Sequence, residues 1–473
     1  MKVSHTIIAL VILLALGGVF YYLDQQPAET SSSSDEPPKK KLFAFEAGQV
    51  EEFTIEAPNQ PATTVRRVAA AAADPSGAPP AGANAAEWEI VAPAEIAPDS
   101  SEIRSFLEEI PKLESTPIEG GPPLEPSEYG LDNPQKVFRF KLKDGKTEVF
   151  SIGKENITGS SKYGKLESSP DLFLLDSANT RILEKTLFDL RDKRAIPLNL
   201  ENAQQIEVEF DYKGQQGSQS AQSRRFGLTK QSNGNWELTL PAVRTDYGSS
   251  NYFVTALRGA VMGSVAEETP RALTRYGLDR PSIRLTVKTP DGDSANLWIG
   301  NKAGEEAAYY AQNSVWPQVF TINQYTYDQL KQDLDNYRNR NLFDFETSTA
   351  RRVEILSADG EMRLDKRGEE WFRTGSPEKK VETAKVESFL NSVHTLRVQQ
   401  FVNDRPGQLA QYGLNSPWLR VKVTFGEENK EETILFARKD NRFYAARQGE
   451  NSVYEMSPEE PANLEPKVKD LAS

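Results

Sequence analysis

The reading of this chain turns on YGLDRPSIRLTV, residues 276–287. Near-copies of its first six residues occur twice more, as YGLDNP from Tyr129 and YGLNSP from Tyr412. Tyr276 lies 147 residues after Tyr129 and 136 before Tyr412. A six-residue motif is weak evidence of a repeat, so the flanking sequence must repeat as well.

It does. Each copy opens on an apolar stretch, from Leu42, Pro197 and Leu342. A tryptophan-bearing strand follows, at Trp88, Trp236 and Trp371. A helix is expected next. Ile103, Phe106, Leu107 and Ile110 in the first copy show i, i+3, i+4, i+7 spacing, and Val386, Phe389, Leu390 and Val393 match it in the third. Asp99 and Glu102 suit a cap at the first helix's start.

After each motif the sequence alternates strictly. Phe138, Phe140 and Leu142 point one way, then Ile283, Leu285 and Val287, then Leu419, Val421 and Val423, with charged or polar residues between. Period two means a strand with one buried face and one wet face. Further short strands follow, and a second helix closes each copy, through Leu183, Leu187 and Leu190, then Leu330, Leu334 and Tyr337, then Leu464, Val468 and Leu471. Pro466 inside the last stretch weakens that helix.

The motif itself reads as a joint. Glycine tolerates positive φ where the chain turns, Asp or Asn bonds its own backbone, and Pro launches the next strand. The joint residues are Tyr129, Gly130, Leu131 and Pro134, then Tyr276, Gly277, Leu278 and Pro281, then Tyr412, Gly413, Leu414 and Pro417. RFGLTK at Arg225 has Phe-Gly-Leu without the proline and out of register.

Residues 6–23, TIIALVILLALGGVFYYL, carry no charge and are long enough to span a bilayer as a helix. Lys2 precedes and Asp24 follows, which places the N-terminus in the cytoplasm and the bulk of the chain in the periplasm, outside a bacterial inner membrane. A cleaved signal peptide is the competing reading, since Ala15 and Gly17 give a small-x-small pattern. The Ser-, Pro- and charge-rich tail after it reads as a flexible stalk.

The expected fold class is therefore α+β: three tandem repeats, each mostly antiparallel β with two helices, behind one N-terminal transmembrane helix. The expected boundaries are an anchor at 1–23, a stalk at 24–41, and repeat units at 42–196, 197–341 and 342–473. The first unit carries an Ala/Pro-rich insertion, residues 58–87, expected to be a surface loop.

With YGLDRP, DGDSANLWIG, AYYAQ and VFTI in this order, the chain resembles the bacterial domain of unknown function 4340, DUF4340. The resemblance covers residue 42 to the C-terminus. The third copy departs at Ala437, where the others have Gly153 and Gly300. The resemblance implies a membrane-anchored envelope protein with no assigned enzyme activity, accessory to an ABC-type transport system.

Composition excludes several chemistries. The 473 residues include no cysteine and two histidines, His5 and His394. Disulfides, thiolate catalysis and histidine-rich metal sites are therefore out. A net charge of −13 argues against a nucleic-acid partner. GKENITGSSK, residues 153–162, lacks the Gly-Lys-(Ser/Thr) order of a phosphate loop and reads as a hairpin. His394 reads as a half-buried packing residue with a satisfied ring nitrogen. Arg191, Lys193, Arg194, Arg338 and Arg340 follow closing helices and suit the negative end of a helix dipole, the rival being an anion or headgroup patch. No catalytic, cofactor or metal residues are assigned.

The expected role is non-enzymatic: binding or scaffolding a protein partner in the envelope, a transporter subunit being the suspected one. The alternative is a periplasmic binding module for an envelope polymer or transported solute, with Trp298, Tyr309, Tyr310 and Trp316 as candidate binding aromatics. A hydrolase is the third reading.

Overall fold

The computed structural model describes residues 39–68, 87–118, 125–177, 180–210, 225–304, 307–375, 377–404, 407 and 409–472. The expected membrane span at 6–23, the stalk up to residue 38, and most of the Ala/Pro-rich insertion lie outside the described residues. Among the described residues no helix is long and apolar enough to cross a membrane. The chain divides into two compact units between Asp192 and Lys193.

The first unit holds one nine-stranded antiparallel sheet. Its strands are β1 (Lys40–Lys41), β2 (Val50–Glu56), β3 (Thr63–Arg67), β4 (Trp88–Ala92), β5 (Glu114–Ile118), β6 (Lys136–Leu142), β7 (Thr147–Glu155), β8 (Ser161–Leu166) and β9 (Leu172–Asp176). Their order across the sheet is β1-β5-β9-β8-β7-β6-β2-β3-β4. Helix α1 (Ser100–Glu109) leaves the β4 edge, and the chain re-enters the sheet at β5, beside β9 at the other end.

The second unit repeats this plan twice. One sheet comprises β10 (Gln205–Phe210), β11 (Arg225–Lys230), β12 (Trp236–Leu240), β13 (Ser264–Glu267), β14 (Ile283–Lys288), β15 (Ser294–Lys302), β16 (Ala308–Asn313) and β17 (Val319–Asn323), in the order β12-β11-β10-β14-β15-β16-β17-β13. The other comprises β18 (Ala350–Ser357), β19 (Gly360–Arg367), β20 (Glu370–Arg373), β21 (Lys379–Val381), β22 (Gln400–Asn403), β23 (Leu419–Phe425), β24 (Lys430–Lys439), β25 (Arg442–Arg447) and β26 (Val453–Met456), in the order β21-β20-β19-β18-β23-β24-β25-β26-β22. With β1 and β21 set aside as edge additions, the three sheets share one eight-strand order.

The helices cover one face of each sheet. In the first copy, Ile103, Phe106 and Leu107 of α1 pack with Phe53, Phe138, Phe140 and Phe150 of the strands. In the third, Val386, Phe389, Leu390 and Val393 of α5 (Thr383–His394) pack with Val353, Val421 and Ile434. The expected inward residues of β6, β14 and β23 are all buried. Their outward neighbours carry cross-strand ion pairs, such as Arg139 with Glu56 at 2.9 Å and Lys422 with Glu431 at 2.9 Å. The Asp99 carboxylate accepts from the backbone N–H groups of Ser101 and Glu102, as expected, while the Glu102 side chain pairs with Lys185 at 2.8 Å instead of completing a box.

Three expectations need correction. The insertion at 58–87 is not loop throughout, because Thr63–Arg67 form β3, with Thr63 and Val65 buried. The β-branched run TTV was masked by the polar and small residues around it. A strand at the far edge, β5, β13 or β22, was also missed, being only four or five residues long. Third, the closing helix is broken where sequence favoured it. In the first copy it is a 3-10 turn, Thr180–Glu184, followed by α2 (Leu187–Leu190). In the second it is α4 (Gln324–Leu330) followed by a 3-10 turn, Leu334–Asn336. In the third, α6 (Glu459–Ala472) runs unbroken through Pro466. Burial of Leu464, Val468 and Leu471 in the core offsets the proline's lost hydrogen bond.

Candidate functional site

The thrice-repeated motif has one geometry. A 3-10 turn ends on its tyrosine, and the glycine after it is left-handed, with φ of 67° at Gly130, 68° at Gly277 and 75° at Gly413. The next leucine reaches back five residues with its N–H: Leu131 to Pro126 O at 2.8 Å, Leu278 to Leu273 O at 3.2 Å, Leu414 to Leu409 O at 3.0 Å. This pattern satisfies the orphan carbonyls at a helix end and requires a residue that tolerates positive φ. The proline then leads into β6, β14 or β23 two residues on.

The turn lies against the sheet face that the helices leave open. Tyr276 and Leu278 form a small buried cluster with Val319, flanked by Trp298 and Tyr310. Leu414 does the same with Ala437, Tyr444, Ala446 and Val453. Each motif tyrosine packs edge-on or tilted against a tyrosine two strands away: Tyr129 on Tyr163 at 4.7 Å, Tyr276 on Tyr310 at 4.8 Å, Tyr412 on Tyr444 at 5.1 Å between ring centres. Such pairs favour offset and edge geometries. Burial, reinforced by its bond to Glu267 at 2.7 Å, pushes ionisation of the Tyr276 hydroxyl up. The motif is thus a structural joint that pins a crossover to the sheet, and no ligand-accessible cleft is needed to explain any of its residues.

The candidate aromatics do not form one site. Trp298 and Tyr310 flank the joint cluster. Tyr309, one residue along the same strand, faces the other side and stacks on Tyr327 of α4, ring centres 3.5 Å apart. The Trp316 backbone N–H bonds Asn313 Oδ1 at 2.8 Å in the turn after β16. Adjacent residues on a strand point to opposite faces, so Tyr309 and Tyr310 could not share a cleft. His394 is half-buried, with its ring 5.8 Å from that of Phe345. It packs as expected, but its Nδ1 has no hydrogen-bond partner among the described residues, against expectation. Residues 153–162 form the β7–β8 hairpin.

The basic residues after the second closing helix have a role that neither sequence reading anticipated. Arg338 is buried and makes a two-pronged bond to Asp404 of the third copy, at 2.9 and 2.5 Å. Ser452 Oγ donates to the same carboxylate at 2.7 Å, and the Phe401 ring lies 3.8 Å from the guanidinium carbon. Arg340 Nη1 donates to the carbonyls of Val398 and Gln399 at 3.0 and 2.9 Å. Arg447 donates to Leu342 O and pairs with Glu450 at 2.7 Å, and Arg244 pairs with Asp344. The connecting backbone is bonded on both sides, Asp246 N–H to Tyr337 O and Val398 N–H to Arg340 O, each at 2.8 Å. The two copies of the second unit are therefore clamped together. Of these residues only Arg338 and Arg340 carried a signal in sequence, since Asp404 and Ser452 come from distant parts of the chain. Arg191, at the matching place in the first copy, is also buried.

Among the described residues no group of three or more His, Asp or Glu side chains gathers as a metal site. A family model described as a domain of unknown function, DUF4340, matches the chain over three regions, residues 88–257, 241–406 and 371–472. Two of these regions begin at a buried tryptophan, Trp88 and Trp371. No curated protein and no solved structure matches the chain.

Proposed function

We propose that this chain, which belongs to the DUF4340 family and carries its domain three times over, is a non-enzymatic envelope scaffold. It is held to the inner membrane by residues 6–23, and its periplasmic repeats bind and position a protein partner, a subunit of an ABC-type transport system being the expected one. The observation that carries this reading is the clamp between the second and third copies. A buried Arg338–Asp404 pair and a backbone-bonded connector hold two domains as one compact unit. Tandem domains fixed in this way present one continuous surface, which is how repeat proteins recognise large partners. The thrice-used joint supports it too, because the strongest motif in the chain serves architecture and places no reacting groups.

The test is affinity purification of the full chain from crosslinked membranes, against a control strain in which residues 1–41 carry an unrelated domain. The reading predicts a transporter subunit enriched by the full chain and absent from the control. Recovery of the same proteins with both, together with turnover of an ester or glycoside panel by the purified chain, would refute it.

A further inference from the structure

The three copies share one register at the entrance to each sheet. The backbone N–H groups of Leu42, Ala195 and Leu342 donate to the carbonyls of Leu113, Ala260 and Leu396, at 2.8, 3.0 and 3.3 Å. A 3-10 turn opens five residues later in every copy, at Ala47, Leu200 and Thr347. Position by position, Phe43 and Phe343 therefore match Ile196, Phe45 and Phe345 match Leu198, and Leu113 and Leu396 match Ala260. All six residues of the first and third copies are buried in their cores. The second copy is smaller at every one of these places.

The missing bulk leaves a pocket. Ile196, Leu198, Leu200, Leu257 and Ala260 line an opening of about 210 Å³ at the end of α3 (Tyr247–Arg258). Leu198 is half-buried at its wall, and the other four are buried and form its floor. In the third copy the Phe345 ring stands at the matching helix end, 5.8 Å from the ring of His394, the last residue of α5. An unfilled hole in a core is destabilising.

The residues that fill this place elsewhere in the chain indicate what fits it. They are phenylalanines, each followed by a glutamate: Phe45 and Glu46, Phe345 and Glu346, where the second copy has Leu198 and Asn199. The mouth suits the same pair. The guanidinium groups of Arg194 and Arg258 stand there against one carboxylate, that of Glu201, whose Oε1 lies 3.0 Å from Arg258 Nη1. An apolar hole under a net positive rim attracts a ring with a carboxylate beside it. Buried aromatic anchors of this kind carry much of the energy of protein interfaces. We infer that the pocket takes a phenylalanine side chain of the protein partner, from a segment in which an acidic residue adjoins that phenylalanine. This contact deepens the proposed partner-binding role and rests on it.

The probe is the amidated pentapeptide LFDFE, the sequence of residues 342–346, titrated into the purified full chain by calorimetry. Its controls are the same peptide with both phenylalanines replaced by alanine, and decanoate as an acyl chain. LFDFE is expected to bind about tenfold tighter than the alanine peptide, the effect of one buried anchor. Leu198→Phe and Ala260→Leu each restore the residue of the other copies. Each should raise the melting temperature by filling the hole, and weaken LFDFE binding by about tenfold. No binding of LFDFE, equal binding of the alanine peptide, tighter binding of decanoate, or LFDFE binding untouched by both substitutions would overturn the proposal. So would a melting temperature lowered by both. In crosslinked membranes Leu198→Phe should lose the transporter subunit that the parent chain enriches. Enrichment by both chains would refute the pocket and leave the scaffold standing. LFDFE binding with no protein enriched by the parent would refute the scaffold and leave the pocket standing.

Discussion

A β-carbon on Gly300 would sit 2.1 Å from the carbonyl oxygen of Tyr276, and Gly153 stands in the same relation to Tyr129 at 2.0 Å. The joint is therefore pressed onto the sheet at a point where only a hydrogen fits. In the third copy Ala437 occupies this strand position, and a β-carbon built on Gly413 would meet the alanine Cβ at an ordinary 3.6 Å.

Gly300→Ala should thus destabilise the second unit by about 1–3 kcal/mol, the usual cost of overpacking a fitted site. Ala437→Gly, at a place already shaped for a side chain, should cost about 1 kcal/mol at most through lost packing and added backbone freedom. Denaturant unfolding of the two variants side by side checks the order. Equal effects would mean that the close approach is not what holds the joint.

The clamp between the second and third copies makes a separate prediction. Arg338→Met or Asp404→Leu alone should cost about 3–5 kcal/mol, since each strands a buried charge. The double variant should cost clearly less than the sum of the two. Scanning calorimetry of the full chain reads both the loss and any splitting of the second unit's transition.

Acid should act on the open sheet face of the third copy. Burial alone would raise the Asp365 carboxyl, but bonds from Arg352, Arg363 and Thr374 outweigh it and bring it down to about 2. A depressed carboxylate stabilises the fold above its unfolded value, near 4, and loses that contribution as pH falls toward 2. Asp365→Asn should therefore lower stability by on the order of 1 kcal/mol at pH 7, after discounting for solvent screening. The gap between variant and parent should narrow steadily from pH 4 to pH 2. A gap that persists at pH 2 would contradict the linkage.

Much of the architecture was legible because it is written in periodicities. The alternation in 138–142, 283–287 and 419–423 exposed the central strand of each sheet, and the joint measured the repeat. What stayed hidden is instructive. The short edge strands, such as Ser264–Glu267, bury too little to leave a pattern. The breaks in the closing helices depend on tertiary packing, which let Pro466 sit inside the one that is continuous. Asp404 lies 66 residues from Arg338, and no spacing rule joins them. Of the aromatics chosen for their density, Trp298, Tyr309 and Tyr310 fall on both faces of one hairpin, and Trp316 lies in the turn beyond it.

The proposed scaffold is tethered to a membrane with its repeats outside the cytoplasm. The chain has no cysteine, so a single introduced thiol is an unambiguous reporter. Ile157, at the tip of the β7–β8 hairpin, is fully exposed. The decisive measurement is labelling of full-length Ile157→Cys in intact spheroplasts with a membrane-impermeant maleimide, followed by carbonate extraction. A tethered scaffold gives labelling without lysis and retention in the membrane pellet. Labelling only after lysis, or release of the labelled chain into the soluble fraction, would contradict it.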